Sequence, residues 1–123
     1  MRIYRQIDRS IEQQIMALRE MGYVTMYSCS GILADHEDIM LGGGGLAYPY
    51  ISFNLERQTL QKSEEVRAAA IAAGFVVQYW TADNRDCNNA VTRTISVYGM
   101  SQKTDAERLL AWDRFFRYLG VSR

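Results

Sequence analysis

The stretch YSCSGILADHED, residues 27–38, gathers a cysteine, the chain's one histidine and three acids into twelve residues. A thiol nucleophile needs a base in hydrogen-bond reach and a third group to orient that base. Cys29, His36 and one of Asp35, Glu37 or Asp38 have the residue types for such chemistry. Yet Cys29 falls at the end of an expected strand, not at a helix N-terminus, where thiolates are stabilised. The pattern reads better as a small, half-buried thiol in a polar turn, and no residue is assigned a catalytic role. Asp35, His36 and Asp38 could hold a hard cation. Structural zinc wants four Cys or His ligands, and Cys29, His36 and Cys87 are the only three in the chain. No metal and no cofactor is expected.

The same residues suit binding better than catalysis. Ser28 and Ser30 offer hydroxyls, and Gly31 lets backbone N–H groups approach a ligand such as phosphate. GGGG at 42–45 lacks the lysine and the following helix of a phosphate loop, and reads as a hinge or loop tip. A second collection lies at 79–93. Tyr79 and Trp80 are consecutive, so they point to opposite sides of a strand. One is expected in the core, and the other can stack on a purine. Asn84, Asn88 and Asn89 carry donors and an acceptor together, which suits a base edge or a ribose. Arg85 and Arg93 can meet phosphate. Arg93 interrupts an apolar strand face, and its structural alternative is to project past the sheet rim and pair with Asp83 or Asp86. Asp105 and Arg108 sit at the start of the last helix, where N–H groups attract anions.

These groups need a scaffold. Ile7, Ile11, Ile15, Leu18 and Met21 predict a helix starting near Asp8 or Ser10, with Gly22 as its stop. YVTMYS, 23–28, reads as a strand. A long connection follows, with a short strand expected at Ile39–Leu41. YISFN, 50–54, is the next strand. A second helix is expected from Ser63, with Val66, Ala69, Ala70 and Ala73 on its buried face and Gly74 as its stop. FVVQYWT, 75–81, reads as a buried strand, 82–90 as a polar loop, and VTRTISVY, 91–98, as an alternating strand. TDAE at 104–107 is a capping box. It opens a helix with a core stripe of Leu109, Trp112, Phe116 and Leu119. Arg108, Phe115 and Tyr118 lie on a face flanking that stripe, and its aromatics suggest either a subunit contact or packing against the chain's own sheet.

The two halves echo each other. Residues 22–27, GYVTMY, match 74–79, GFVVQY, and YISF at 50–53 matches TISV at 94–97. Each half runs helix, Gly, strand, long loop, strand. Two short strands can match by chance. A true repeat predicts an α+β fold of pseudo-symmetric halves. Its antiparallel sheet would have about four to six strands, with helices on one face and a closing C-terminal helix. The loops 29–49 and 82–90 would leave from equivalent positions.

A length of 123 residues predicts one domain, 1–123. Hydrophobic residues make up 48% and charged residues 23%, which is ordinary for a globular chain. No apolar run is long enough to cross a bilayer and no signal peptide opens the chain, so a soluble cytoplasmic protein is expected, with no membrane partner. The formal net charge is zero, which argues against nucleic acid as the main partner. Of fourteen basic residues only Lys62 and Lys103 are lysine. That bias suits bidentate contacts to phosphate or carboxylate, and it also follows from genomic composition. Two cysteines are too few for a disulfide framework and fit a reducing compartment.

Two resemblances bear on function. YSCSG after a strand resembles the Ser-Cys-Ser-Gly motif of the wybutosine-synthesis tRNA methyltransferases, although Ile32 stands where that motif has a basic residue. It implies the alternative reading, a nucleic-acid modification enzyme or accessory module using this turn. The whole-chain layout is similar to the phage proteins that defeat the bacterial Thoeris defence. It comprises MRIYRQIDRSIE, YSCSG, an aromatic strand with an Asn-rich loop, and a closing helix. That resemblance implies a homo-oligomer that sequesters a cyclic ADP-ribose isomer, and in some members cyclic oligonucleotides, without cleaving it, in host cytoplasm. It implies ligand contacts from Tyr79 or Trp80, Asn88 or Asn89, and Arg108. Taken together, the expected ligand-binding residues are Ser30, Gly31, Tyr79, Trp80, Asn88, Asn89, Arg93, Asp105 and Arg108.

Overall fold

The computed structural model describes residues 7–36, 48–84 and 90–122. Along the chain run α1 (Glu12–Glu20), β1 (Thr25–Cys29), β2 (Tyr50–Asn54), α2 (Leu60–Ala73), β3 (Val76–Asn84), β4 (Ala90–Tyr98) and α3 (Asp105–Tyr118). Short 3-10 turns at Arg9–Ile11 and Leu33–His36 precede α1 and follow β1. The strands form one antiparallel sheet in the order β1-β2-β4-β3. The fold is α+β, with a C-terminal helix.

Alternation decides which face of the sheet is covered. Ile51 and Phe53 in β2 and Ile95 and Val97 in β4 are fully buried. Ile51 lies opposite Val97 and Phe53 opposite Ile95, so the four make one apolar layer. All three helices supply the core that packs on it: Ile15 and Leu18 from α1, Val66, Ala69, Ala70 and Ala73 from α2, and Trp112, Phe115 and Phe116 from α3. The small residues of α2 let it pack against α3. Among the described residues no helix is long and apolar enough to cross a membrane.

The echo between the halves has a geometric counterpart. Gly22 and Gly74, at φ 100° and 82°, each turn the chain from a helix into an edge strand. The matched segments 50–53 and 94–97 become the two central strands, with Ser52 directly opposite Ser96. A local two-fold relation therefore runs through that serine pair. It breaks in β1, where a bulge between Thr25 and Tyr27 admits one extra residue, Met26. Thr25 faces Phe53 on the helix side, whereas Tyr27 faces Ser52 on the open side. In β3, Tyr79 stays on the helix side, opposite Ile95.

Several expectations need correction. The second helix begins at Leu60, not Ser63, because Thr59 caps it; its hydroxyl accepts the Lys62 N–H at 3.1 Å. Strand β3 is an edge rather than buried: Val76, Tyr79 and Trp80 are each at least 41% exposed. Residues 82–84 and 90 extend the β3–β4 hairpin instead of forming loop. Phe115 is fully buried, so of the expected flanking aromatics only Tyr118 is exposed. The capping box is present, with Thr104 and Glu107 bonded reciprocally. The strand expected at Ile39–Leu41 and the GGGG segment lie outside the described residues.

Candidate functional site

No described helix covers the second face of the sheet, and aromatic residues collect there. Alternation turns Tyr50 and Ser52 of β2, Ser96 and Tyr98 of β4, and Gln78 and Trp80 of β3 to that side. The bulge adds Tyr27 from β1, and Tyr48 reaches in from the segment leading into β2. Together they line a cavity of about 560 Å³, well within the range of small-molecule sites. Four of the eight tyrosines and one of the two tryptophans meet in it, and among the described residues no charged side chain lines it.

The floor is polar and ordered. Ser52 and Ser96 are 1% and 3% exposed, and their hydroxyl oxygens lie 2.7 Å apart. Trp80 leans from β3 across β4 and donates its indole N–H to Ser96 Oγ at 2.7 Å. The Thr94 hydroxyl donates to the Trp80 carbonyl at 3.3 Å. Trp80 is thus held at both its backbone and its ring while the ring stays 41% exposed. Tyr27 and Tyr48 are equally open. Burial, with the nearby Cys29 and Asp8, pushes the Tyr50 phenol up, so this phenol stays neutral at physiological pH. A wall of phenol rings beside a held indole suits a flat apolar ring, with contacts worth about 1–3 kcal/mol per stacked base.

The expected ligand residues divide into separate places, and of the described ones only Trp80 lines this cavity. Tyr79 and Arg93 line a second groove of about 750 Å³ on the helix side, with Leu60, Glu64 and Arg67 of α2. Arg93 pairs there with Glu56, Nε to Oε2 at 3.1 Å; the side chains of Asp83 and Asp86 lie outside the described residues. Alternating Glu and Arg side chains read as a solvated rim. Asn88 and Asn89 lie outside the described residues, as do Arg85 and Cys87. The side chains of His36 and Asn84 lie outside them too.

Ser30, Gly31, Asp105 and Arg108 do meet, but as a structural junction. The Ser30 N–H donates to Asp8 Oδ2 at 2.7 Å, and its hydroxyl donates to Asp35 Oδ2 at 2.5 Å. Its carbonyl accepts from Trp112 Nε1 at 2.9 Å. The Leu33 N–H donates to Asp105 Oδ1 at 3.1 Å. Arg108 donates to the Gln102 carbonyl at 2.9 Å and to the Gly31 carbonyl at 2.7 Å. The turn does gather backbone N–H groups as an anion cradle would, but the chain's own side chains occupy them: Asp8 and Asp105 take those of Ser30 and Leu33, and the Ser30 hydroxyl takes that of Ile32. A phosphate here would face carboxylates. Gly31 has φ 73°, and a Cβ would sit 2.9 Å from Pro49, so the turn demands glycine for packing.

Cys29 adjoins this junction. Burial is the main cause that pushes its thiol up, partly opposed by the Gly31 N–H. A protonated thiol is a poor nucleophile. Among the described residues no group of three or more His, Cys, Asp or Glu is placed to hold a metal ion.

Most of the cavity escaped the sequence reading. Tyr50, Ser52, Ser96 and Tyr98 carried a signal, since they alternate with the core residues of β2 and β4. Tyr27 carried none, because strict alternation puts it with Thr25. No family model, curated protein or solved structure matches this chain.

Proposed function

We propose that this protein binds a small nucleotide through its flat base, on the open aromatic face of the sheet, and makes or breaks no bond. The observation that carries the reading is the uncharged cavity of Tyr27, Tyr48, Tyr50, Tyr98 and Trp80 over a serine floor. The held Trp80 ring binds without losing much side-chain freedom, which favours tight capture and slow release. Among the described residues the lining has no nucleophile paired with a base. A reading in which the SCSG turn does thiol or methyl-transfer chemistry draws no support from the raised Cys29 thiol or from the engaged polar groups of Ser30. The similarity to the Thoeris anti-defence proteins gives the proposal its specific form. The ligand is a cyclic ADP-ribose isomer, the assembly is a homo-oligomer, and binding withholds the signal from a bacterial defence.

The test is a thermal-shift panel of cyclic and linear nucleotides, because a ligand that binds only the folded state raises Tm. A bound cyclic ADP-ribose isomer is then recovered by heat denaturation and identified by mass. Unchanged ligand supports the reading; a cleaved product overturns it. Trp80→Ala should weaken binding about 5- to 150-fold, the equivalent of one lost stack, whereas Cys29→Ser should leave it within about twofold. The reverse ranking would favour thiol chemistry.

A further inference from the structure

The cavity floor holds more hydrogen-bonding capacity than the protein uses. Ser52 and Ser96 carry two hydroxyl protons. Their mutual bond at 2.7 Å uses one of them, whichever serine donates. The Trp80 indole at 2.7 Å brings its own proton and only occupies a lone pair on Ser96. Neither serine hydroxyl donates to any other described group. If Ser96 donates to Ser52, the Ser52 proton is left over; if Ser52 donates, the Ser96 proton is left over. In both arrangements one O–H remains, on a pair of side chains that are almost fully buried and form the cavity floor.

We infer that this leftover serine proton selects the ligand: the cavity takes a planar heteroaromatic ring whose leading edge presents a bare ring nitrogen as acceptor, an adenine-type edge, in preference to a carbocyclic ring of the same shape. The inference rests on the proposed base-binding function and adds what kind of base edge it reads. A buried donor facing aromatic walls is unfavourable unless it finds an acceptor. A site with such a donor therefore rejects an analogue that lacks the acceptor more strongly than an apolar pocket rejects an extra methylene. Gln78, on the same wall, offers both an N–H donor and a carbonyl acceptor beside it. That allows a second contact to a neighbouring edge position. The pair also sits where the local two-fold relation of the sheet crosses, on the two central strands flanked by β1, which carries Tyr27, and β3, which carries Trp80.

The experiment compares adenosine with its three isosteres in which N1, N3 or N7 is replaced by C–H, by calorimetric titration of the wild-type protein. Adenosine is the clean probe because those three nitrogens are the only acceptors on its purine ring. The expected result is that one isostere binds at least tenfold more weakly than adenosine while another stays within about threefold. The triple variant Ser52→Ala, Ser96→Ala, Trp80→Phe keeps an aromatic wall and removes every floor donor. It should bind adenosine and that weak isostere within twofold of each other. Single serine substitutions should keep the selectivity, because each leaves one hydroxyl proton behind. Wild-type binding of adenosine and all three isosteres within twofold would overturn the inference while leaving base stacking intact. Selectivity retained by the triple variant would overturn it too. Failure of the wild type to take up adenosine at millimolar concentration would also overturn it, and the separate nucleotide panel would then decide the binding function itself.

Discussion

Trp112 and Ser30 are 82 residues apart in sequence, and the indole N–H of one meets the carbonyl of the other at 2.9 Å. Both ends are fully buried. Trp112→Phe keeps most of the ring packing against Phe75 and Phe116 but leaves the Ser30 carbonyl without its donor. The expected loss is about 1–3 kcal/mol of stability, read as a lower urea midpoint at unchanged slope. The residue types at this junction were legible. Serine, glycine, aspartate and arginine do meet at one turn, and these are residue types that could also bind an anion. The partner was not legible, because an N–H group binds a phosphate and a distant aspartate by the same physics. Arg108 shows the same ambiguity: its guanidinium suits a ligand carboxylate or phosphate, and here it grips two main-chain carbonyls.

At the scale of elements, local chemistry could be read directly. The capping box at Thr104 and Glu107 depends on residues three apart, and backbone N–H groups of Lys103 and Thr104 hold the Glu107 carboxyl below its usual range. Thr104→Ala should cost about 0.5–2 kcal/mol, checked by thermal melts monitored by helical circular dichroism. The buried face of α2 was equally legible from the spacing of Val66, Ala69, Ala70 and Ala73. The start of α2 was misread because Thr59 is an ordinary residue until its hydroxyl caps an N–H. The bulge at Met26 left no mark in the sequence. Nothing in YVTMYS distinguishes a regular strand from one with an extra residue, and only pairing with β2 decides that Tyr27 faces outward.

At the scale of the whole molecule, burial of titratable groups makes stability depend on alkaline pH. Burial raises Cys29, Tyr50 and Tyr23, and Tyr23 is also held by the Glu65 carboxylate, which accepts its phenol proton at 2.7 Å. The folded chain therefore keeps protons that the unfolded chain releases at the ordinary values of 9.0 for the thiol and 10.0 for the phenols. Their contribution is fully present below those values and is lost as pH rises through them towards the raised folded values. Tm should be flat from about pH 7 to about pH 8.5 and should fall above about pH 9. Tyr23→Phe should reduce that fall, and a melting series across this range checks both.

The sequence by itself determined the local grammar: the three helices and the middles of the four strands, the glycines that end helices and the capping box that begins one, and which side of the central strands is apolar. Those features depend on neighbours a few residues away, so periodicity reveals them. Only the tertiary structure decided which face of the sheet stays open. It also decided that Tyr27 joins that face and that Trp80 rather than Tyr79 lines the cavity. It decided, too, that the SCSG turn satisfies its donors with the chain's own acids. Each of these depends on register between strands or on a contact between distant residues, and a one-dimensional pattern holds no distance of that kind.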